Sequence, residues 1–115
     1  MAKKKVTEYD EYNVIMAKSA EDDLNEIINF IAQNNPRTAL VIMEKICKKM
    51  GTLDHFPYRG RYVPELLARN IMDYRQITEE PWNIIYKINE NIVNVLAIID
   101  SRRNLQDILI KKFLK

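Results

Sequence analysis

Between Ile92 and Ile99 every position except Asn94 is apolar, and most of the residues are β-branched. A strand that alternates inward and outward with one wet face cannot carry such a run. A strand buried on both faces can, and that places it in the interior of a sheet. The rest of the chain must therefore supply neighbouring strands and enough apolar surface to cover them. At 115 residues, 47% hydrophobic and 30% charged, the chain has the composition of one ordinary globular domain.

The flanking sequence supplies those parts. Tyr12 to Ala17 reads as a first strand, dominated by aromatic and β-branched residues. Ser19 with Asp22 three residues later has the form of a capping box and predicts a helix start. Leu24, Ile27, Ile28 and Ile31 then recur at helical spacing. Asn34-Asn35-Pro36 breaks the helix, with Asn35 as cap and Pro36 as first residue of a second helix. Ala39, Ile42, Met43, Ile46 and Met50 form the buried face of that helix, and Gly51 is its expected stop.

A loop over 54–64 follows, rich in turn residues (Pro57, Gly60, Pro64). Strands are expected at 71–78, 83–88 and 92–99, separated by Glu79-Glu80-Pro81 and Asn89-Glu90-Asn91. A final amphipathic helix begins near Asn104, with Leu105, Ile108, Leu109 and Phe113 on one side. Residues 1–10 are polar and expected to be a flexible segment ahead of a single domain over 11–115. The order β-α-α-β-β-β-α predicts an α+β fold: a helical hairpin packed on a curled, mainly antiparallel four-stranded sheet.

Several function classes are excluded early. No apolar run approaches the ~18 residues of a membrane span. The basic start, Lys3-Lys4-Lys5, leads into Glu8, Asp10 and Glu11 rather than the apolar core of a secretory signal. A single Cys47 allows no internal disulfide and fits a reducing cytoplasm, and its neighbours Ile46 and Met50 suggest helix packing. His55, alone in a turn, has no second His or Cys at ligand spacing, so neither a metal nor any other cofactor is expected. Two glycines, Gly51 and Gly60, make no phosphate-cradling loop. Trp82, after Pro81, suits packing on an edge strand or stacking on a partner.

Charge is mild overall, +2, but unevenly placed. Residues 1–58 hold eight Lys/Arg against nine Asp/Glu, whereas residues 59–115 hold ten against seven. Six of seven arginines lie after position 58, at the ends of the expected strands. Planar guanidinium groups so placed suit a surface that receives phosphates or carboxylates. Arg75 and Arg102, on adjacent strands, are expected to approach one another on the concave sheet face.

Several groups of residues carry a family resemblance. They are Ala20-x-x-Asp23-Leu24, Asn35-Pro36-x-x-Ala39 and Pro57-x-x-Gly60-Arg61-x-Val63-Pro64-Glu65-Leu66. With them come Tyr74-Arg75, Ile85-Tyr86-x-Ile88 and the closing Arg102-Arg103. In this order and spacing, from Tyr12 to Arg103, the chain resembles the RelE/ParE superfamily of bacterial type II toxins, which includes plasmid-stabilisation toxins. The resemblance implies a small cytoplasmic toxin neutralised by a cognate antitoxin, with a toxin–antitoxin heterotetramer as one assembly. Its RelE-like branch is similar to ribosome-dependent mRNA endonucleases, and its ParE-like branch inhibits DNA gyrase by binding.

A metal-free ribonuclease needs a base, a cation for the phosphorane and an acid for the leaving oxygen. Glu65 falls where the resemblance puts the base of one nuclease subgroup. Asn83 stands where those enzymes carry an arginine, and Arg103, or an apolar position of the last helix, where they carry a histidine or tyrosine. Arginine cannot give up a proton near neutral pH. The site is therefore nearer ParE, with Arg61, Arg75, Arg102 and Arg103 as the expected target or nucleic-acid contacts. Glu65 equally suits an ion pair with Arg61 or Arg75 that pins the loop. The stripe of Leu105, Ile108, Leu109 and Phe113 either packs on the chain's own core or meets an antitoxin segment. A third reading is a non-toxic member kept only for antitoxin binding.

Overall fold

A computed structural model of the chain describes residues 11–103 and 105–113; the expected flexible segment 1–10 and the side chain of Phe113 lie outside the described residues. Strand β1 (Asn13–Met16) leads into α1 (Lys18–Ala32) and α2 (Pro36–Gly51). Short 3₁₀ turns at Thr52–Asp54 and Pro57–Arg59 precede β2 (Arg61–Tyr62) and the single-turn helix α3 (Pro64–Leu67). The chain then forms β3 (Arg75–Glu79), β4 (Trp82–Asn89), β5 (Ile92–Asp100) and α4 (Leu105–Phe113).

The sheet has five strands in the order β1-β5-β4-β3-β2, with β1 parallel to β5 and the other pairs antiparallel. The expected fold class holds, with one strand more than the four expected. The extra strand is β2, two residues long, within what read as a loop; a pair this short leaves no periodicity to detect. Strand β3 starts later than expected, at Arg75, because the chain ahead of it turns through Asn70, whose φ of 63° is left-handed.

The apolar run sits where its composition requires. Strand β5 lies between β1 and β4, with Val93, Val95, Ala97, Ile98 and Ile99 all buried. Its two faces feed two cores. One joins Val93, Val95, Ile98, Ile84, Tyr86 and Trp82 to Leu24, Ile46 and Met50 of the helical hairpin. The other joins Ala97, Ile99 and Ile85 to Val63, Leu66 and Leu109 of α3 and α4. Trp82 packs as expected, but at the start of the central β4 rather than on an edge strand.

Strand β1 covers only four of the nine residues of β5, which would leave the remaining edge of a buried strand unpaired. The start of α1 completes it. The Ala17 N–H donates to Val95 O at 2.8 Å, the Ser19 hydroxyl to Leu96 O at 2.7 Å, and Ile98 N–H to Asp23 Oδ2 at 3.0 Å. Lys112 of α4 reaches the same carboxylate at 3.3 Å. Ser19 is thus not the helix cap: α1 begins one residue earlier, Ala17 occupies the cap position, and the Ser19 hydroxyl serves the sheet.

The second helix starts as its sequence reads, with Asn35 Oδ1 accepting the Thr38 N–H at 3.0 Å and Pro36 in the first turn. Two of its residues face outward against expectation. Met43 is exposed, and so is Cys47, because the buried stripe runs through Ala39, Ile42, Ile46 and Met50 at steps of three and four. Gly51 ends α2 in ordinary right-handed geometry and the chain continues directly into the 3₁₀ turn.

Asp23 is the one side chain that closes both the β5 edge and the α4 contact. Replacing it by alanine orphans the Ile98 N–H as well as Lys112, and should cost about 1–3 kcal/mol in chemical denaturation. Lys112→Ala removes only a half-exposed pair and should cost about 0–1 kcal/mol. Equal losses from the two variants would refute the edge-closing role.

Candidate functional site

The arginine-rich end of the molecule is built by the segment from Phe56 to Tyr62. Phe56 takes a left-handed φ of 56°, which turns the chain into the 3₁₀ turn, and Arg59 then holds that turn from below. Its guanidinium donates to Thr52 O at 3.2 Å, to the carbonyls of His55 and Phe56, and to the Thr52 hydroxyl. The Tyr86 hydroxyl donates to Pro57 O from within the core. Gly60 crosses directly over that ring, so close that a Cβ there would overlap the tyrosine oxygen; space, not backbone conformation, requires glycine. Burial raises the Tyr86 pKa above the ordinary 10.0, opposed only in part by the backbone of Gly60 and by Arg59 and Arg75.

Arg75 closes the segment from the sheet side. Its guanidinium donates to Gly60 O at 2.8 Å, Tyr58 O at 3.1 Å and the Tyr62 hydroxyl at 3.3 Å. It also lies 4.4 Å from the Tyr62 ring centroid and 5.3 Å from that of Tyr58. Three of its five N–H donors are thus engaged, and two rings lie against its planar face. It is the clasp of the loop rather than a free contact.

The four expected contact arginines do not converge. Arg75 pairs with Tyr86 on β4, whereas Asp100, next to Arg102, pairs with Trp82 four positions along the same strand, roughly 13 Å away. Neighbouring strands run antiparallel, so two arginines that begin β3 and follow β5 lie at opposite ends of the sheet. Arg61 pairs with Gln76 and Tyr62 with Arg75, so Arg61 projects on the face opposite Arg75. Arg102 binds its own Asp100 through Nε at 2.9 Å and Nη2 at 2.6 Å. That pairing holds the Asp100 carboxyl below its ordinary range. Among the described residues, no hydrogen bond or ion pair engages the side chains of Arg61 and Arg103.

Glu65 stands on α3 with Oε1 buried and lacking any hydrogen-bond partner, so the expected ion pair with Arg61 or Arg75 does not form. Asn83 is buried in β4, its Oδ1 accepting from the Thr78 hydroxyl at 2.9 Å. The sheet face that Ile85, Ala97 and Ile99 share is covered by α3 and α4. Leu109 is fully buried there, with the partly buried Leu105 and Ile108 packed around it, so these three residues of the α4 stripe pack on the chain's own core. His55 is exposed, as a lone turn histidine should be, and its Nδ1 lies 2.9 Å from Asp54.

At the opposite end, a cleft of about 610 Å³ opens between α1 and the end of the sheet. Ile27, Phe30, Ile31, Trp82 and Ile98 line its apolar floor, and Arg102 and Arg103 stand on its rim. Phe30 is 72% exposed, a large apolar side chain turned out beside an apolar cleft. Sequence reading missed both this cleft and the tyrosine pair around Arg75. The alternation Tyr58-Arg59-Gly60-Arg61-Tyr62 was the available signal for the latter, whereas the cleft joins positions seventy residues apart and had none.

The family model for the ParE toxin of the type II toxin-antitoxin system parDE matches residues 14–105, and the chain belongs to that family. It is 29% identical over 100 residues to Toxin ParE3 of Caulobacter vibrioides, covering 86% of this chain and 96% of the relative. Two solved structures share the fold. One is of the chromosomal ParDE TA system from P. aeruginosa, with a TM-score of 0.66 and 18% identity over 78% of this chain and 96% of that one. The other is of the toxin–antitoxin complex RelBE2 from Mycobacterium tuberculosis, with a TM-score of 0.54 and 19% identity over 79% and 92%.

Two measurements test the clasp. Arg75→Ala strips three carbonyl or hydroxyl partners and two ring contacts, and should lower stability by about 2–3 kcal/mol, on the order of 10 °C in Tm. Arg102→Ala should melt near the parent temperature, since its pair is exposed. Tyr86 gives a pH signature. Its folded pKa lies above its unfolded value, so its contribution is complete below about pH 10 and lost as pH rises through the folded value. Ultraviolet titration of the folded chain should show one tyrosine ionising last, with unfolding, and Tyr86→Phe should abolish that late component.

Proposed function

We propose that this chain is the toxin of a bacterial toxin–antitoxin pair, acting in the cytoplasm by binding DNA gyrase rather than by cutting RNA. The observation that carries this reading is the state of the nuclease positions. Asn83 is buried and spoken for by Thr78, and Glu65 faces neither a cation nor a proton donor. Positioning is most of what a metal-free ribonuclease contributes, and among the described residues the Glu65 and Asn83 positions bring no base, cation and acid to one point. Unengaged cations such as Arg61 and Arg103 are instead suited to steering and docking on a large acidic partner.

The same proposal includes a cognate antitoxin. The α1 cleft supports it, since an amphipathic segment could bury its apolar side against Ile27, Phe30, Ile31, Trp82 and Ile98, with a carboxylate meeting Arg103 and basic groups meeting Asp23 and Glu26 of the same lining, while Arg102 stays on its own Asp100. Binding there would cover the exposed Phe30 and reward ordering of the segment with buried area.

In a supercoiling assay the purified chain should inhibit gyrase at micromolar concentration, and equimolar antitoxin should relieve the inhibition. Neutralising Arg61 together with Arg103 should weaken inhibition without lowering Tm. Codon-linked cuts in translated messages, with gyrase unaffected, would overturn the reading in favour of the endonuclease. Growth unchanged by expression without antitoxin would overturn it in favour of a non-toxic antitoxin-binding member.

A further inference from the structure

We infer that the outer edge of β3 carries a phosphate-binding site formed by Lys49, Arg61 and the backbone of Thr78. A cleft of about 330 Å³ lies there, lined by Lys49, Arg59, Gly60, Arg61, Gln76 and Thr78 together with Ile77. Three cations enter this lining and no carboxylate does. Arg59 is fixed by its bonds to the Thr52–Phe56 turn and contributes its charge alone. Among the described residues, no hydrogen bond or ion pair engages the side chains of Lys49 and Arg61, so their side-chain donors are available.

The backbone adds a further donor. Strand β2 matches β3 only at Arg61↔Gln76 and Tyr62↔Arg75. Val63 N–H donates to Tyr74 O, which fixes the alternation, so Gln76 and Thr78 both turn their backbone groups toward the β2 side. Arg59 would face Thr78, but it has left the ladder and gives its own N–H to Phe56 O. The Thr78 N–H is therefore left without a strand partner at the mouth of the cleft. Gln76 lines the same cleft, only 3% exposed and with a side-chain oxygen that lacks a partner. That oxygen is an unused acceptor for a hydroxyl on a monohydrogen phosphate.

Charge decides between anions. A single carboxylate would leave the lining at two net positive charges, whereas a phosphate near −1.5 to −2 neutralises most of it and has oxygens for all three donors. A nucleic-acid backbone phosphate offers the same oxygen acceptors to the three donors, but with a single charge per group and no hydroxyl for Gln76. The site stands apart from the α1 cleft and holds whichever enzyme the toxin acts on.

The test is an NMR titration of the full-length ¹⁵N-labelled chain with inorganic phosphate at constant pH and ionic strength, with chloride as control. Saturable shifts of the Thr78, Gly60 and Arg61 amides are expected. Binding should weaken about tenfold in Arg61→Gln and again in Lys49→Gln. Both variants should keep the parent Tm, since neither side chain holds another residue. A short single-stranded oligonucleotide that moves the same amides at lower concentration identifies backbone phosphate as the ligand. An oligonucleotide that leaves them unmoved while phosphate shifts them identifies the free anion. Linear, non-saturating phosphate shifts, or equal affinity in both variants, would overturn the proposal.

Discussion

The fold depends on how the edge of a strand buried on both faces is completed. Hydrogen-bonding groups on such a strand have no access to water, so each must find a protein partner. β1 supplies partners for less than half of β5. Extending β1 would be one solution; the chain instead turns into a helix at once and lets the helix's polar residues finish the edge. Ala17, Ser19 and Asp23 meet Val95, Leu96 and Ile98 in sequence. This fixes the axis of α1 against the sheet, and with it the cleft in which Phe30 and Trp82 face each other across the sheet end. The apolar cleft follows from a strand that stops early.

A second consequence concerns α4. Lys112 returns to Asp23, so the last helix is tied to the same carboxylate that closes the edge. Leu109 then fills the second core against Ile85 and Ala97. The helix thus covers the sheet face that Ile85 and Ala97 share, and the apolar residues that complete this second core are the ones that close that face.

How much was legible beforehand depended on whether the cause was local. The run Ile92–Ile99 announced an interior strand because burial on both faces leaves a composition no other environment tolerates. Asn35-Pro36 announced a helix start because capping and a fixed φ act within three residues. Ser19 misled for the same reason: its spacing to Asp22 satisfied a local rule, while a carbonyl seventy-seven positions away claimed its hydroxyl. Arginine positions were read correctly as strand ends, yet which ends share a surface depends on strand direction and order. Arg75 and Arg102 looked adjacent and lie at opposite ends because β4 separates their strands and two reversals leave β3 and β5 running the same way. Alternation then sent Arg61 and Arg75 to opposite faces although they flank one strand pair.

The division of labour among these arginines follows from the geometry each backbone position offers. Arg59 and Arg75 approach clusters of carbonyl oxygens at turns, where a planar fork with five donors can satisfy several acceptors at once. A lysine there would meet one or two and leave the turns loose. Arg61 and Lys49 instead stand at an edge where β2 is too short to pair all of β3, and among the described residues no acceptor claims their side chains. In a domain of near-balanced charge, three cations gathered without a carboxylate carry a repulsive cost that only a bound anion would offset. The two structural arginines make the loop rigid, and that rigidity keeps the two free cations and the Thr78 N–H facing one cleft.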